Sequence, residues 1–152
     1  MCLTLKHDQN FKPLVSVITP AYNSELYISE TIKSVQAQTY VNWEMIIVDD
    51  NSKDNTVDIV KKYMQNDNRI RLIELKRNKG AGNARNVAMG HANGRFLAFL
   101  DSDDIWLPEK LEKQLKFMQE KDVAFSFTKY VRMKENGELT KNISKAPETI
   151  TY

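Results

Sequence analysis

Three carboxylates follow directly on an apolar run in the second half of this chain. Residues 96–100 read Phe-Leu-Ala-Phe-Leu and are followed at once by Asp101, Ser102, Asp103 and Asp104. An unbroken apolar run of this length predicts a strand buried on both faces, which ends where unpaired carboxylates begin. Asp101 and Asp103 point the same way on an extended chain, and two carboxylates aimed at one spot suit Mg²⁺ or Mn²⁺.

The acidic stretch has a second interpretation, as the cap of a following helix. Aspartate and serine side chains bind the free amides at a helix N-terminus, and negative charge suits that end of the helix. A calcium-binding EF-hand loop is a poor match, because Ile105 and Trp106 stand where that loop needs an oxygen ligand and a glycine. From this stretch alone, a cation site and a helix cap both stay open.

Size and composition indicate one soluble domain that works in a reducing compartment. The chain has 152 residues, 41% hydrophobic and 28% charged, with a net charge of +2 that gives no general case for nucleic acid or membrane binding. Cys2 is the only cysteine, so no internal disulfide is expected. Residues 1–12 lack the apolar core of a signal peptide, and no run approaches the roughly 18 apolar residues of a membrane span. We therefore expect a cytoplasmic protein without a transmembrane segment.

Apolar runs and helical periodicities alternate along the chain. Strands are predicted over 14–19, 43–48, 69–75, 96–100 and 123–127, the last extending toward Met133. Helices are predicted over about 24–38, after Ser52 or Asp54, over about 82–92 with a left-handed stop at Gly94, and after Pro108. The third strand alternates charged and apolar residues, as expected nearer a sheet edge, and the polar tail from Thr140 should lack regular structure. This order predicts an α/β fold with a mostly parallel sheet and helices on both faces.

The carboxyl ends of parallel strands meet at one rim of a sheet, where ligands bind. That rim would carry Pro20, Ala21, Tyr22, Asn23, Asp49, Asp50, Lys79, Gly80 and 101–104. Clustered carboxylates repel one another and need a cation or a donor-rich ligand. A nucleotide with a metal fits, since Tyr22 can pack on a base, an aspartate can accept its hydrogen bonds, and Lys79 can meet phosphate.

Each of these residues also has a simpler interpretation. Tyr22 can be an ordinary half-buried aromatic, and Lys79 a solvated surface charge. Asp49 and Asp50 can cap the second helix, and Arg85 can pair with a neighbour on its own helix.

Together the motifs resemble glycosyltransferase family 2 on the GT-A fold, a Rossmann-like three-layer sandwich around a mostly parallel sheet. The matching stretches are 15–23, 34–35, 38–40, 47–52, 78–80, 84–86 and 99–104. Their order and spacing agree over about residues 14–107, and Asn51 is a minor departure, where the family often has glycine.

The resemblance implies a role for each matched position. The ends of the first two strands would surround the nucleotide base, with Asp50 as its hydrogen-bond partner: Pro20, Ala21, Tyr22, Glu25, Asp49 and Asp50. The next loop and helix would lie along the donor: Lys79, Gly80 and Arg85. The DxD motif would be Asp101, Ser102 and Asp103. Within it, Asp103 would bind Mn²⁺ or Mg²⁺ directly, and Asp101 would contact the ribose, or the metal through water.

The resemblance also implies the reaction. A sugar would pass from a nucleotide-diphosphate sugar, most commonly a UDP-sugar, to an acceptor hydroxyl. The acceptor would be a saccharide or a lipid-linked molecule, on the way to a cell-surface polysaccharide or glycolipid. Inverting members use an acidic general base well beyond the DxD motif, and no matching motif follows Asp103 here. We therefore expect the donor half of a longer protein: an extension over 1–13, the donor domain over 14–133, and a tail over 134–152 that starts an acceptor half. The full-length protein could then lie at the cytoplasmic face of the membrane.

Three rival functions are weighed against this one. A receiver-like signalling domain needs its paired acids after the first strand, where this chain has Pro20 and Ala21. A nicotinamide-dependent oxidoreductase needs a glycine turn at the same place. A non-catalytic sugar-nucleotide-binding module stays open, because transfer needs a base that these motifs do not supply.

Overall fold

The computed structural model describes residues 12–134 and 137–144, which fall into two compact units that divide after Lys110. The first unit contains β1 (Val15–Ala21), α1 (Ile28–Gln36), β2 (Trp43–Asp49), α2 (Thr56–Asn66), β3 (Ile70–Glu74), α3 (Ala81–Gly90) and β4 (Phe96–Phe99). The second contains α4 (Lys110–Lys121), β5 (Val131–Met133) and β6 (Leu139–Ile143). No described helix is long and apolar enough to cross a membrane.

The first unit is built on a four-stranded parallel sheet with the order β3-β2-β1-β4. All residues of β1 and β2 are buried, as expected for the two central strands. The chain runs outward from β1 to β3 and then crosses back to β4, so right-handed connections place α3 on the face opposite α1 and α2. The α/β prediction, with its mostly parallel sheet, is therefore confirmed.

The face under α3 explains why that helix is rich in small residues. Ala84 and Ala88 are fully buried against Ile18, Ile46 and Val48 of the central strands. Without long side chains at the contact, the helix backbone can lie close to the sheet.

The prediction that β4 is buried on both faces is wrong. Leu97 and Phe99 are 43% and 48% exposed in the described part of the chain, and the burial of β4 alternates. Among the described strands, β4 lies at the edge of the sheet and pairs with β1 alone. An uninterrupted apolar run predicts a strand, but its place in the sheet decides how many faces are covered.

Gly94 also has a different role from the predicted left-handed helix stop. Its φ is not positive, and a Cβ there would lie 2.6 Å from the Ser16 nitrogen and 2.9 Å from the Leu14 oxygen. Its own amide donates to Ser16 Oγ over 2.8 Å. The position needs glycine because two backbone segments approach closely there.

The second unit departs from the prediction in two places. The fifth strand, predicted over 123–127 and extending toward Met133, is present only at its far end, as β5. Residues 123–127 pair with no described strand, and Gln114 donates side-chain hydrogen bonds to Ser126 instead. The tail, expected to lack regular structure, contributes β6, which pairs antiparallel with β5. Residues 1–11 and 145–152, within the predicted extension and tail, lie outside the described residues.

Candidate functional site

A pocket opens at the carboxyl ends of β1 and β4, where the strand order reverses. Such a reversal leaves a crevice between connections that run to opposite faces of the sheet. The residues lining it are Pro20, Ala21, Tyr22, Asp50, Ala81, Arg85, Asp101, Ser102 and Asp103. Eight of these were candidates from the sequence. Ala81, at the first turn of α3, was missed because alanine carries no chemical signal.

Strand register brings the two central segments to the rim together. Ala21 pairs with Asp49, and the Asp50 amide donates to the Ala21 oxygen over 2.8 Å. Tyr22 and Asp50 therefore leave the sheet side by side, with the Tyr22 side chain half-exposed at the pocket.

The buried carboxylate of Asp50 binds the backbone of the loop before α3. Its oxygens accept hydrogen bonds from the Lys79 amide at 2.8 Å and the Gly80 amide at 2.6 Å. Gly80 has φ of 86° and ψ of 159°, a conformation that side-chain-bearing residues rarely adopt. Asp50 thus holds a glycine-dependent turn beside the pocket, and neither Lys79 nor Gly80 is among the residues that line it.

Arg85 reaches across the pocket rather than along its helix. Its Nη2 donates to Asp101 Oδ1 over 2.5 Å, and both side chains are partly exposed. Among the described residues, Arg85 is the only cation lining the pocket. The pair places a guanidinium beside the acidic turn, where an anionic ligand would meet it.

The acidic turn after β4 is closed by a backbone hydrogen bond, 3.1 Å long, from the Asp104 amide to the Asp101 carbonyl oxygen. Loss of hydration, followed by the charges of Asp103 and Asp101, raises the pKa of the Asp104 carboxyl. The Asp103 carboxylate has no hydrogen-bond or ion-pair partner in the described part of the chain. α4 begins only at Lys110, so these acids do not cap it.

The oxygen donors at this turn suit a hard divalent cation. Within residues 12–134 and 137–144, no three or more His, Cys, Asp or Glu side chains form a complete metal cage. Mg²⁺ commonly takes one or two carboxylates and completes its shell with water and substrate phosphates. With Asp101 paired to Arg85, the free carboxylate of Asp103 fits the role of direct ligand.

Glu25 and Asp49 lie outside the pocket wall and hold neighbouring loops. Glu25 Oε2 accepts from the amide and the side chain of Asn55 at 2.9 and 2.8 Å. Asp49, also buried, accepts from the Ser52 amide at 3.0 Å and from the Ser52 hydroxyl. Since α2 begins at Thr56, the predicted capping of that helix by Asp49 or Asp50 does not occur.

Comparison with known proteins identifies the family. The model of "Glycosyl transferase family 2" matches residues 16–151. The putative teichuronic acid biosynthesis glycosyltransferase TuaG of Bacillus subtilis is 53% identical over 94% of this chain and 57% of its own length. The Escherichia coli UDP-Glc:alpha-D-GlcNAc-diphosphoundecaprenol beta-1,3-glucosyltransferase WfgD is 46% identical over 91% and 53%. The chain therefore spans about half the length of these relatives.

Solved structures agree with the sheet described above. S. aureus TarS 1-349 in complex with UDP-GlcNAc has a TM-score of 0.66 and 40% identity, covering 70% of this chain and 31% of that one. The mannosyltransferase PcManGT of Pyrobaculum calidifontis, in complex with GDP-Man and Mn²⁺, has a TM-score of 0.67 and 28% identity, covering 72% and 33%. The receiver-like and oxidoreductase interpretations are set aside, because this chain, with its GT-A fold, belongs to glycosyltransferase family 2, a family of transferases.

Proposed function

We propose that this chain is the donor-binding part of a glycosyltransferase that uses a UDP-sugar with Mn²⁺ or Mg²⁺. The observation that carries the proposal is the meeting of Tyr22, Asp50, Arg85, Asp101 and Asp103 around one pocket at the sheet reversal. An aromatic ring, a carboxylate acceptor, a guanidinium and a carboxylate pair match the base, the diphosphate and a bridging cation of such a donor. The names of WfgD and of the TarS complex support a uridine nucleotide.

Each group has a distinct task in the proposed pocket. Tyr22 packs against the base, while Asp50 keeps the turn at Gly80 in place and presents its remaining acceptor capacity to the base. Arg85 meets the negative charge that builds up on the departing diphosphate. Asp103 would hold the divalent ion, which would supply Lewis-acid stabilisation of that charge, and Asp101 would contact the ribose, or the ion through water.

The proposal for the acceptor is based on the names of the relatives. We propose an acceptor hydroxyl on a saccharide or lipid-linked intermediate of a cell-surface polymer, as the names of TuaG and WfgD suggest. Transfer with inversion, in the cytoplasm, is proposed from the resemblance to the family alone. No general base was identified in the sequence of this chain. We therefore propose that the 152-residue chain binds donor but transfers sugar poorly, as a binding module would.

A thermal-shift panel of UDP, GDP and ADP, each with and without Mn²⁺, tests the donor proposal. UDP at a hundred times its dissociation constant should add about 2.7 kcal/mol to the unfolding free energy. Asp103→Asn should remove the Mn²⁺-dependent part of the shift, whereas Asp58→Asn, the same change at an exposed α2 site, should keep it. A response to none of the nucleotides would contradict the proposal. Rapid sugar transfer by the purified chain would contradict its catalytic part.

A further inference from the structure

α1 buries two different stripes of side chains, and one of them is polar. Ile28, Ile32 and Val35 form the apolar stripe expected of a helix packed on a sheet. Beside it, Thr31 and Ser34 are 0% and 7% exposed, and the same side is continued by buried Ser24 (6%) just before the helix and Gln38 (4%) just after it. Buried hydroxyl and amide groups destabilise a fold unless they are hydrogen-bonded, so their partners indicate why they are there.

The partners of Ser24 and Thr31 belong to the central residue of the DxD motif. Ser24 Oγ lies 2.7 Å from Ser102 Oγ, and Thr31 Oγ1 donates to the Ser102 carbonyl oxygen over 2.9 Å. Ser102 is itself buried. Both polar groups of this residue are thus held on the side of α1, while Asp101 and Asp103 on either side of it reach the pocket.

The rest of the stripe binds the chain that follows. Ser34 Oγ accepts from the Trp106 amide over 3.2 Å, and Gln38 Nε2 donates to the Leu107 carbonyl oxygen over 2.8 Å. We call Ser24, Thr31, Ser34 and Gln38 the loop clamp. It attaches the irregular segment 102–107 to α1 and to the residues on either side of that helix at four points, although that segment has no sheet ladder to satisfy its backbone.

We propose that the loop clamp is a positioning device for the metal-binding carboxylate, and that Thr31 and Ser24 set the affinity of the Asp103 site for a divalent ion. This inference rests on the donor-binding function proposed above. Asp103 has no partner of its own among the described residues, so the direction of its carboxylate depends on the backbone on which it stands. Groups that orient a metal ligand typically change metal affinity by about 10–100-fold when they are removed.

Thr31→Val tests the proposal, because it keeps the side-chain shape and removes the donor to Ser102. With saturating UDP, we expect the Mn²⁺ dissociation constant, measured from the electron paramagnetic resonance signal of free Mn²⁺, to rise by about tenfold or more. The UDP dissociation constant measured in EDTA should not change. Thr31→Ser, which keeps the hydroxyl, should restore the wild-type Mn²⁺ affinity, and Ser24→Ala should weaken it if Thr31→Val does not fold.

Ser16→Ala is the matched control, since it removes another fully buried hydroxyl that bonds Glu44 and Gly94 near the start of β1. It should lower the unfolding free energy but leave the Mn²⁺ dissociation constant unchanged. The positioning proposal is overturned if Thr31→Val and Ser24→Ala weaken Mn²⁺ binding no more than Ser16→Ala does. The proposal is also overturned if Thr31→Val weakens UDP binding in EDTA as much as it weakens Mn²⁺ binding, because that result indicates a general distortion of the pocket. A wild-type chain that binds UDP without any effect of Mn²⁺ refutes the metal part of the proposed function as well.

Discussion

Arg85 and Asp101 join α3 to the acidic turn after β4 through a 2.5 Å hydrogen bond between Nη2 and Oδ1. The two residues are 16 positions apart and come from different connections of the sheet. Both residues line the pocket, and of the three described carboxylates that line it, Asp103 is the one without a protein partner.

Arg85→Gln should separate ligand binding from stability. The ion pair is partly exposed, so its loss should change the unfolding free energy by less than about 1 kcal/mol. Losing a charge-assisted hydrogen bond to a diphosphate should weaken binding of UDP with Mn²⁺ by at least about tenfold, as measured by calorimetry. Lys33→Gln, which breaks the exposed pair with Glu30, should change neither quantity. Unchanged UDP affinity in Arg85→Gln would show that the guanidinium serves only the fold.

Asp50→Asn should loosen the loop before α3. The asparagine side chain has one oxygen where the carboxylate has two, so one of the hydrogen bonds from the Lys79 and Gly80 amides should be weakened or lost, which should lower the unfolding free energy by about 0.5–1.5 kcal/mol. Hydrogen exchange should become faster at these two amides in particular. Asp58→Asn is the exposed comparison and should leave both exchange rates as they are. Full protection of Lys79 and Gly80 in Asp50→Asn would contradict the role given to this carboxylate.

Gly80→Ala and Gly90→Ala should change stability in opposite directions. Neither added Cβ would meet an atom within 4 Å, so only the backbone conformation distinguishes them. At Gly80, with φ of 86°, strain should lower the unfolding free energy by about 1–3 kcal/mol. At Gly90, inside α3, alanine should raise it by about 0.5–1 kcal/mol. Urea denaturation measures both, and equal effects would mean that the turn at Gly80 has another conformation.

Asp67 should make stability depend on pH in the acid range. Hydrogen bonds from the Arg69 side chain are the main cause that lowers the pKa of Asp67 from 3.8 to about 2. A lowered pKa in the folded state contributes stability above pH 3.8 that is lost as the pH falls toward 2, and amounts to about 2 kcal/mol. Asp67→Asn should therefore be less stable than wild type at pH 6, with the difference shrinking toward pH 2, as urea denaturation would measure. A difference that does not vary with pH would contradict the assignment.

The sequence was sufficient for the elements of the first unit and for the rim on which the acids meet, but not for the strands of the second unit. Apolar runs and helical periodicity depend on neighbouring residues, so the buried strands β1 and β2 and the helices α1 and α3 could be predicted directly. Parallel strands end at one edge by topology, which brought Tyr22, Asp50 and Asp103 to a common pocket.

The partners of those side chains were decided only by the tertiary structure. Asp50 binds amides 29 and 30 positions away, and Thr31 binds a carbonyl group 71 positions away. Such contacts depend on register, helix rotation and strand order, which local patterns do not encode. The apolar sequence of β4 likewise did not predict its exposed face. The burial of a strand depends on which elements pack against it, and these are determined only when the chain folds.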